Sequence, residues 1–176
     1  MATPWGLHGP HAEADGRRVD ARSENGGRDK PELDDHYARS TRHGRPVVAV
    51  IDDEEDILTY LRLALEDQGF DVVVTPDAEQ AMAMISDARP DLICLDLLMP
   101  RHTGISLYAK IVAAPELRDV PIVIMSGLAV RSELPDMLKR AGNLPPPSSF
   151  IDKPIDIDEL VRTFNALLGR PVGVES

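Results

Sequence analysis

Asp52, Asp53, Asp96, Ser126 and Lys153 each sit at the end of a short apolar run, and together they could carry out one reaction. Within LICLDLLMPRHTG, residues 92–104, Asp96 is the lone carboxylate of a nearly unbroken apolar stretch that breaks on Pro100 and Gly104. An isolated carboxylate is costly to bury, so Asp96 belongs at a strand end where a cation or a reaction partner can reach it. Three carboxylates gathered at one rim would repel one another by about 4 kcal/mol per pair at 4 Å and an effective dielectric near 20. Lys153 answers one charge. Mg²⁺ is a natural second cation, because it suits a site that offers one or two carboxylates, waters and a phosphate oxygen. An aspartate beside Mg²⁺, an ammonium and a hydroxyl can accept a phosphoryl group. The two cations neutralise charge on the equatorial oxygens during in-line transfer, and Ser126 is placed to hydrogen-bond the group once attached.

Taken singly, each residue has a plainer use. Adjacent aspartates after a strand can cap a helix and complement its dipole. Asp96 can cap a loop, Ser126 can form a turn, and Phe150 reads as a core residue. The ordered combination at successive strand ends is what points to chemistry.

The elements that must position these side chains are legible from Pro46 onward. VVAVI (47–51), DVVVT (71–75), DLICLD (91–96), VPIVIMS (120–126) and SFID (149–152) predict five strands. Between the first two strands, Ile57, Leu58, Leu61 and Leu65 recur at helical spacing, with Gly69 placed to end that helix in the left-handed conformation. Asp77 with Gln80 resembles a capping box opening a second helix, 78–87. A third helix is expected after Gly104, a fourth from about Val130 to Ala141, and a last one with the stripe Ile157, Leu160, Val161, Phe164, Leu167 and Leu168. Alternating strands and helices predict a doubly wound α/β domain with a parallel sheet, whose strand ends meet at one rim near a switch in strand order.

Residues 46–170 resemble the receiver domain of two-component response regulators, the CheY-like family. VIDDEED matches its acidic pocket, LDLLMPRHTG its phosphoacceptor segment, IMSG its switch hydroxyl and FIDKP its Lys-Pro element. The resemblance implies a flavodoxin-like (βα)5 sandwich with a five-stranded sheet of order 2-1-3-4-5. It implies that Asp96 is phosphorylated, that Asp53 binds Mg²⁺ directly and Asp52 mainly through water, and that Asp96 and the Leu98 backbone carbonyl complete the metal shell. Ser126 and Lys153 would contact the phosphoryl oxygens, with Phe150 at the aromatic switch position. The implied donor is a histidine kinase or a histidine phosphotransfer protein. The implied downstream partner is a protein docking on the face of the fourth helix, fifth strand and fifth helix. The chemistry expected is self-phosphorylation and self-dephosphorylation, without enzymatic turnover of a separate substrate.

Two features depart from the family pattern. AGNLPPPSSF is longer than usual between the fourth helix and fifth strand, and Pro145–Pro147 favour stiff polyproline geometry. A tolerated insertion and a reshaped partner surface are both open readings. Leu98 and Leu128 are apolar where polar side chains can influence water attack on the acyl phosphate, so a comparatively long-lived phosphoform is expected.

Composition bounds the alternatives. The chain has 176 residues, 43% of them hydrophobic, which suits one domain plus an appendage. Residues 1–45 carry eight acidic and eight basic side chains, so the net charge of -11 belongs to the remainder. An acidic domain without a Lys/Arg cluster is a poor partner for nucleic acid, and direct contact is not expected. No apolar run suits a bilayer span or a signal peptide, so no membrane insertion and a cytoplasmic location are expected. Cys94, the single cysteine, cannot form an internal disulfide and reads as a buried strand residue.

Residues 1–45, poor in aliphatic side chains, are expected to be a disordered tail. Their His8, His11, His36 and His43 match no trusted metal-ligand spacing and read as solvated, and Trp5 is either a docking element or incidental. With 171–176 as a short C-terminal tail and no output domain expected, the reading is a stand-alone receiver whose output is by contact. A phosphorylation-independent binding module and an Asp-nucleophile phosphohydrolase are the alternative readings.

Overall fold

The structure, a computed structural model, describes residues 44–99 and 103–171. The expectations for residues 1–43, including the tail's disorder, its histidines and Trp5, lie outside the described residues, as do those for 172–176.

Five strands, β1 (Val47–Ile51), β2 (Asp71–Thr75), β3 (Leu92–Asp96), β4 (Ile122–Ser126) and β5 (Ser149–Asp152), pair in parallel in the order β2-β1-β3-β4-β5. They alternate with helices α1 (Glu55–Asp67), α2 (Ala78–Ala88), α3 (Thr103–Ala113), α4 (Leu128–Arg140) and α5 (Ile157–Leu167). This is the flavodoxin-like order expected from the sequence. Every residue of β3 and of β4 is buried, as a parallel sheet covered on both faces requires.

Strand alternation divides the core in two. On one face Ala49, Ile51, Ile93, Leu95 and Ile124 pack with Ile85 of α2, Leu107 and Ile111 of α3 and Leu134 of α4. On the other, Val48, Val50, Cys94, Val123 and Met125 pack with Leu58, Leu61 and Leu65 of α1 and with Leu160 and Phe164 of α5. Both faces therefore grip the same central strands, and the carboxyl ends of β1, β3 and β4 are held in fixed register.

Local signals explain most element ends. Gly69 takes the left-handed conformation, φ 83°, beyond α1. Asp77 caps α2 by accepting from the Glu79 N–H at 2.7 Å, while Gln80 Nε2 donates to its other oxygen at 2.8 Å. The box is therefore closed between side chains. β4 starts at Ile122 rather than Val120, because Pro121 has no N–H to give the ladder; its carbonyl still accepts from Ile93 N at 3.0 Å. α4 starts at Leu128, ahead of the expected Val130, with Gly127 as its uncapped first boundary residue and Pro135 inside the helix. A short 3₁₀ turn at Pro115–Leu117, not foreseen, buries Leu117. Arg45, assigned to the tail by composition, belongs to the domain: Nη2 donates to the Glu66 carbonyl in the last turn of α1 and to the Phe70 carbonyl after it, and Nε pairs with Asp71 at 3.5 Å.

The proline segment is fastened at both ends. Buried Tyr108 of α3 donates its hydroxyl to the Pro145 carbonyl at 2.9 Å, and burial pushes the phenol up to about 12. Ser148 N donates to the Ile122 carbonyl at 2.8 Å, and Ile122 N donates to Ser148 Oγ at 3.1 Å. Among the described residues no helix is long and apolar enough to cross a membrane. Tyr108→Phe removes one neutral hydrogen bond and strands a carbonyl, so it is expected to cost about 1 kcal/mol in urea denaturation with an unchanged slope.

Candidate functional site

The rim at the carboxyl ends of the strands gathers the polar side chains of the sheet. Asp52 and Asp53 follow β1, while Asp96 closes β3 and Ser126 closes β4. Lys153 follows β5 and is tied to β4 by its N–H, which donates to the Ser126 carbonyl at 2.9 Å; the Lys153–Pro154 peptide is cis. Residues far apart in the chain thus meet through strand order.

Lys153 occupies the centre of this group. Its ammonium lies 2.8 Å from Asp52 Oδ2 and 2.9 Å from Asp96 Oδ2, with Glu54 Oε1 further out at 3.4 Å. It donates a hydrogen bond to Asp96 and a longer one to Glu54, and it forms an ion pair with Asp52. The other Asp52 oxygen accepts from the Glu54 N–H at 3.0 Å, and the other Asp96 oxygen from the Leu98 N–H at 2.9 Å. Backbone donors two residues ahead thus orient both carboxylates, as short Asx turns do.

Burial sets the electrostatics. Asp52 is fully buried, and desolvation raises its carboxyl above the usual range against the opposing pull of Lys153 and the Glu54 N–H. Burial on its own would lower the Lys153 ammonium, but its contacts with Asp52 and Asp96 overbalance that and hold it protonated well above its ordinary value. Carboxylate oxygens of Asp52, Asp53 and Asp96 all lie within 4.8 Å of one another. One ammonium among three carboxylates leaves the group negative. An all-oxygen donor set of this kind fits a hard divalent cation such as Mg²⁺.

The loop after Asp96 is held from beneath. A Cβ on Gly104 of α3 would lie 2.5 Å from Leu97 Cα and 2.7 Å from the Asp96 carbonyl oxygen, so only glycine lets the helix approach that backbone. Ser126 is fully buried, and its Oγ has no hydrogen-bond partner among the described residues. A buried hydroxyl left unpaired at a rim is an available donor.

The structure thus brings Lys153 into contact with Asp52 and Asp96 and an oxygen of Asp53 to within 4.8 Å of theirs, with Ser126 one residue beyond the β3–β4 pair Asp96 and Met125. The Leu98 side chain is 61% exposed beside them. Phe150 stands apart on β5, opposite Ile124, half-buried against the core face shared with α4. Two participants were missed in the sequence. Glu54 is signalled only by its place after the aspartate pair. Arg131, whose guanidinium lies over Phe150 and pairs with Asp152, carries no local signal at all.

Comparison with known proteins gives a consistent result. The family model described as the response regulator receiver domain matches residues 48–165. The chain is similar to the transcriptional regulatory protein PrrA of Mycobacterium tuberculosis, 34% identical over 125 residues, covering 71% of this chain and 51% of PrrA. It therefore spans about half the length of that curated relative. Among solved structures it resembles a sensor protein from Polaromonas sp. JS666, with 28% identity and a TM-score of 0.62, covering 71% of this chain and 97% of the other. The receiver domain of NtrX from Brucella abortus gives 28% identity and a TM-score of 0.59, covering 70% and 99%.

A cation held by this acidic group binds only the folded state, so millimolar Mg²⁺ is expected to raise the thermal midpoint. Asp53→Asn is expected to remove most of that rise, as read by scanning calorimetry with and without EDTA.

Proposed function

Because the chain belongs to the response regulator receiver family, we propose that Asp96 is its phosphoacceptor and that phosphorylation is the signal the domain carries. The observation that supports this most strongly is Asp96 itself, a carboxylate at a strand end with one oxygen on the Lys153 ammonium and the other on a backbone N–H. In the proposed transfer, one Asp96 oxygen attacks the phosphorus of a phosphohistidine on a histidine kinase or histidine phosphotransfer protein. The P–N bond breaks as the O–P bond forms, and the imidazole leaves with a proton.

Asp53, Asp52, Asp96 and the Leu98 carbonyl are the proposed Mg²⁺ ligands, and the bound ion would supply charge neutralisation at the phosphoryl oxygens. Lys153 is already at Asp96 and needs only to shift its hydrogen bonds to the incoming group. The unpartnered Ser126 hydroxyl would donate to another phosphoryl oxygen. Drawing Ser126 inward displaces the start of α4, and Phe150 would respond on β5. The face of α4, β5 and α5 is the proposed surface for a downstream protein. Moving such an equilibrium from 1:99 to 99:1 requires about 5.5 kcal/mol of differential stabilisation, which several charge-assisted bonds can supply.

The test is to incubate the protein with Mg²⁺ and acetyl phosphate and weigh it intact. The wild type is expected to gain one phosphoryl group and Asp96→Asn none. An equal gain by both would overturn the assignment, and steady turnover of acetyl phosphate without a mass gain would favour a hydrolase.

The exposed Leu98 side chain offers no polar group to orient an attacking water, so the phosphoform is expected to outlast the donor by minutes or more. Measuring phosphate loss after donor removal checks this, and Leu98→Asn is expected to shorten the lifetime several-fold. A wild-type lifetime of seconds would contradict it.

A further inference from the structure

One contact between α4 and β5 lies outside the phosphorylation site. Arg131, one turn into α4, donates from Nη1 to Asp152 Oδ2 at 2.6 Å, and its guanidinium carbon lies 5.3 Å from the centroid of the Phe150 ring. Both partners are on β5, two residues apart and therefore on the same side of the strand. Asp152 immediately precedes Lys153, and it is the register partner of Ser126. A single side chain thus fastens the aromatic ring, the end of β5 and the first turn of α4 to one another.

We propose that Arg131 is a latch, a positioning residue that holds Phe150 in its half-buried place while Asp96 is unphosphorylated and lets go when α4 moves. The proposal rests on the reading of Asp96 as phosphoacceptor and extends it to the control of the switch. Three features support it. Ser126 is joined to α4 by Gly127 alone, so any pull on its hydroxyl is transmitted to the first turn. Gly127 offers no side-chain cap to anchor that turn. Pro135, inside the same helix, has no N–H for the Arg131 carbonyl, and its ring crowds that carbonyl. The segment bearing Arg131 therefore lacks a side-chain cap and one backbone hydrogen bond, and it lies between the switch hydroxyl and the aromatic ring.

The latch is weak enough to open. A half-exposed ion pair and a single cation–π contact are each small, so their combined loss shifts a two-state equilibrium only about fivefold. That is a bias on the switch and leaves the fold intact. Arg131→Lys keeps a charge for Asp152 but loses the planar group that stacks on Phe150, so it should fall between wild type and Arg131→Ala.

The experiment compares wild type, Arg131→Ala, Arg131→Lys, Phe150→Leu and the Arg131→Ala/Phe150→Leu double variant. The first readout is the rate of phosphorylation by acetyl phosphate with Mg²⁺, followed by intact mass. Arg131→Ala is expected to speed it about fivefold, with little further change when Phe150 is already Leu. The second readout is the ring ¹H–¹³C spectrum of Phe150 in the unphosphorylated protein, where Arg131→Ala is expected to shift the signals and Arg131→Lys to shift them partly. Unmoved ring signals, or the same rate change with and without Phe150, would overturn the latch. A wild type that gains no mass overturns the phosphoacceptor reading instead, and the ring spectrum then decides the latch by itself.

Discussion

The Lys153 ammonium makes this rim possible. Asp52 and Asp96 each place an oxygen within 3 Å of it, and Asp53 stands beside them. Without that charge, three carboxylates at this spacing would face mutual repulsion and the desolvation that already raises Asp52. With it, Asp52 and Asp96 keep a defined orientation, and the residual negative charge is what a divalent cation can satisfy. The position of Lys153 is in turn fixed by strand pairing, through its backbone bond to Ser126. Site and sheet are therefore one construction: the parallel register aligns the strand ends, and the charges that meet there tolerate one another because the register is exact enough to interleave them.

The two core layers divide the work. The α1 and α5 face is closed by large side chains, among them Phe70 and Phe164, whose ring centroids lie 5.9 Å apart in edge contact. The α2, α3 and α4 face is built differently. Gly104 sets α3 directly on the backbone of Asp96 and Leu97, Tyr108 ties α3 to the proline segment, and α4 is interrupted by Pro135. A closely packed layer beneath a layer with one proline-interrupted helix is a suitable arrangement for turning a local charge change into a surface change.

Much of this was legible in the sequence because two signals are strong. Buried parallel strands read as short β-branched runs, and helices as a recurrence of apolar residues, so the order of elements follows directly. The rim could be assembled from Asp52, Asp53, Asp96, Ser126 and Lys153 because each ends such a run. What could not be read depends on side-chain reach across space. Arg131 and Phe150 lie 19 positions apart with no pattern linking them, and Glu54 looks like any helix-leading acid. Boundaries slipped for local reasons: Pro121 belongs to the apolar run but cannot donate to a ladder, and Arg45 looks like tail composition while its guanidinium serves carbonyls at and after the C-terminal end of α1.

Lys153 and the carboxylates stabilise one another as a unit, and a double-mutant cycle on chemical denaturation reads that coupling. Lys153→Met, Asp96→Asn and the double variant are compared with wild type in the absence of divalent cations. Non-additivity is expected: Lys153→Met costs much more when Asp96 is present than when it is Asn, with an interaction of at least about 1 kcal/mol. Costs that simply add, within about 0.5 kcal/mol, would show that the ammonium and the carboxylate are neighbours without being coupled, and would contradict it.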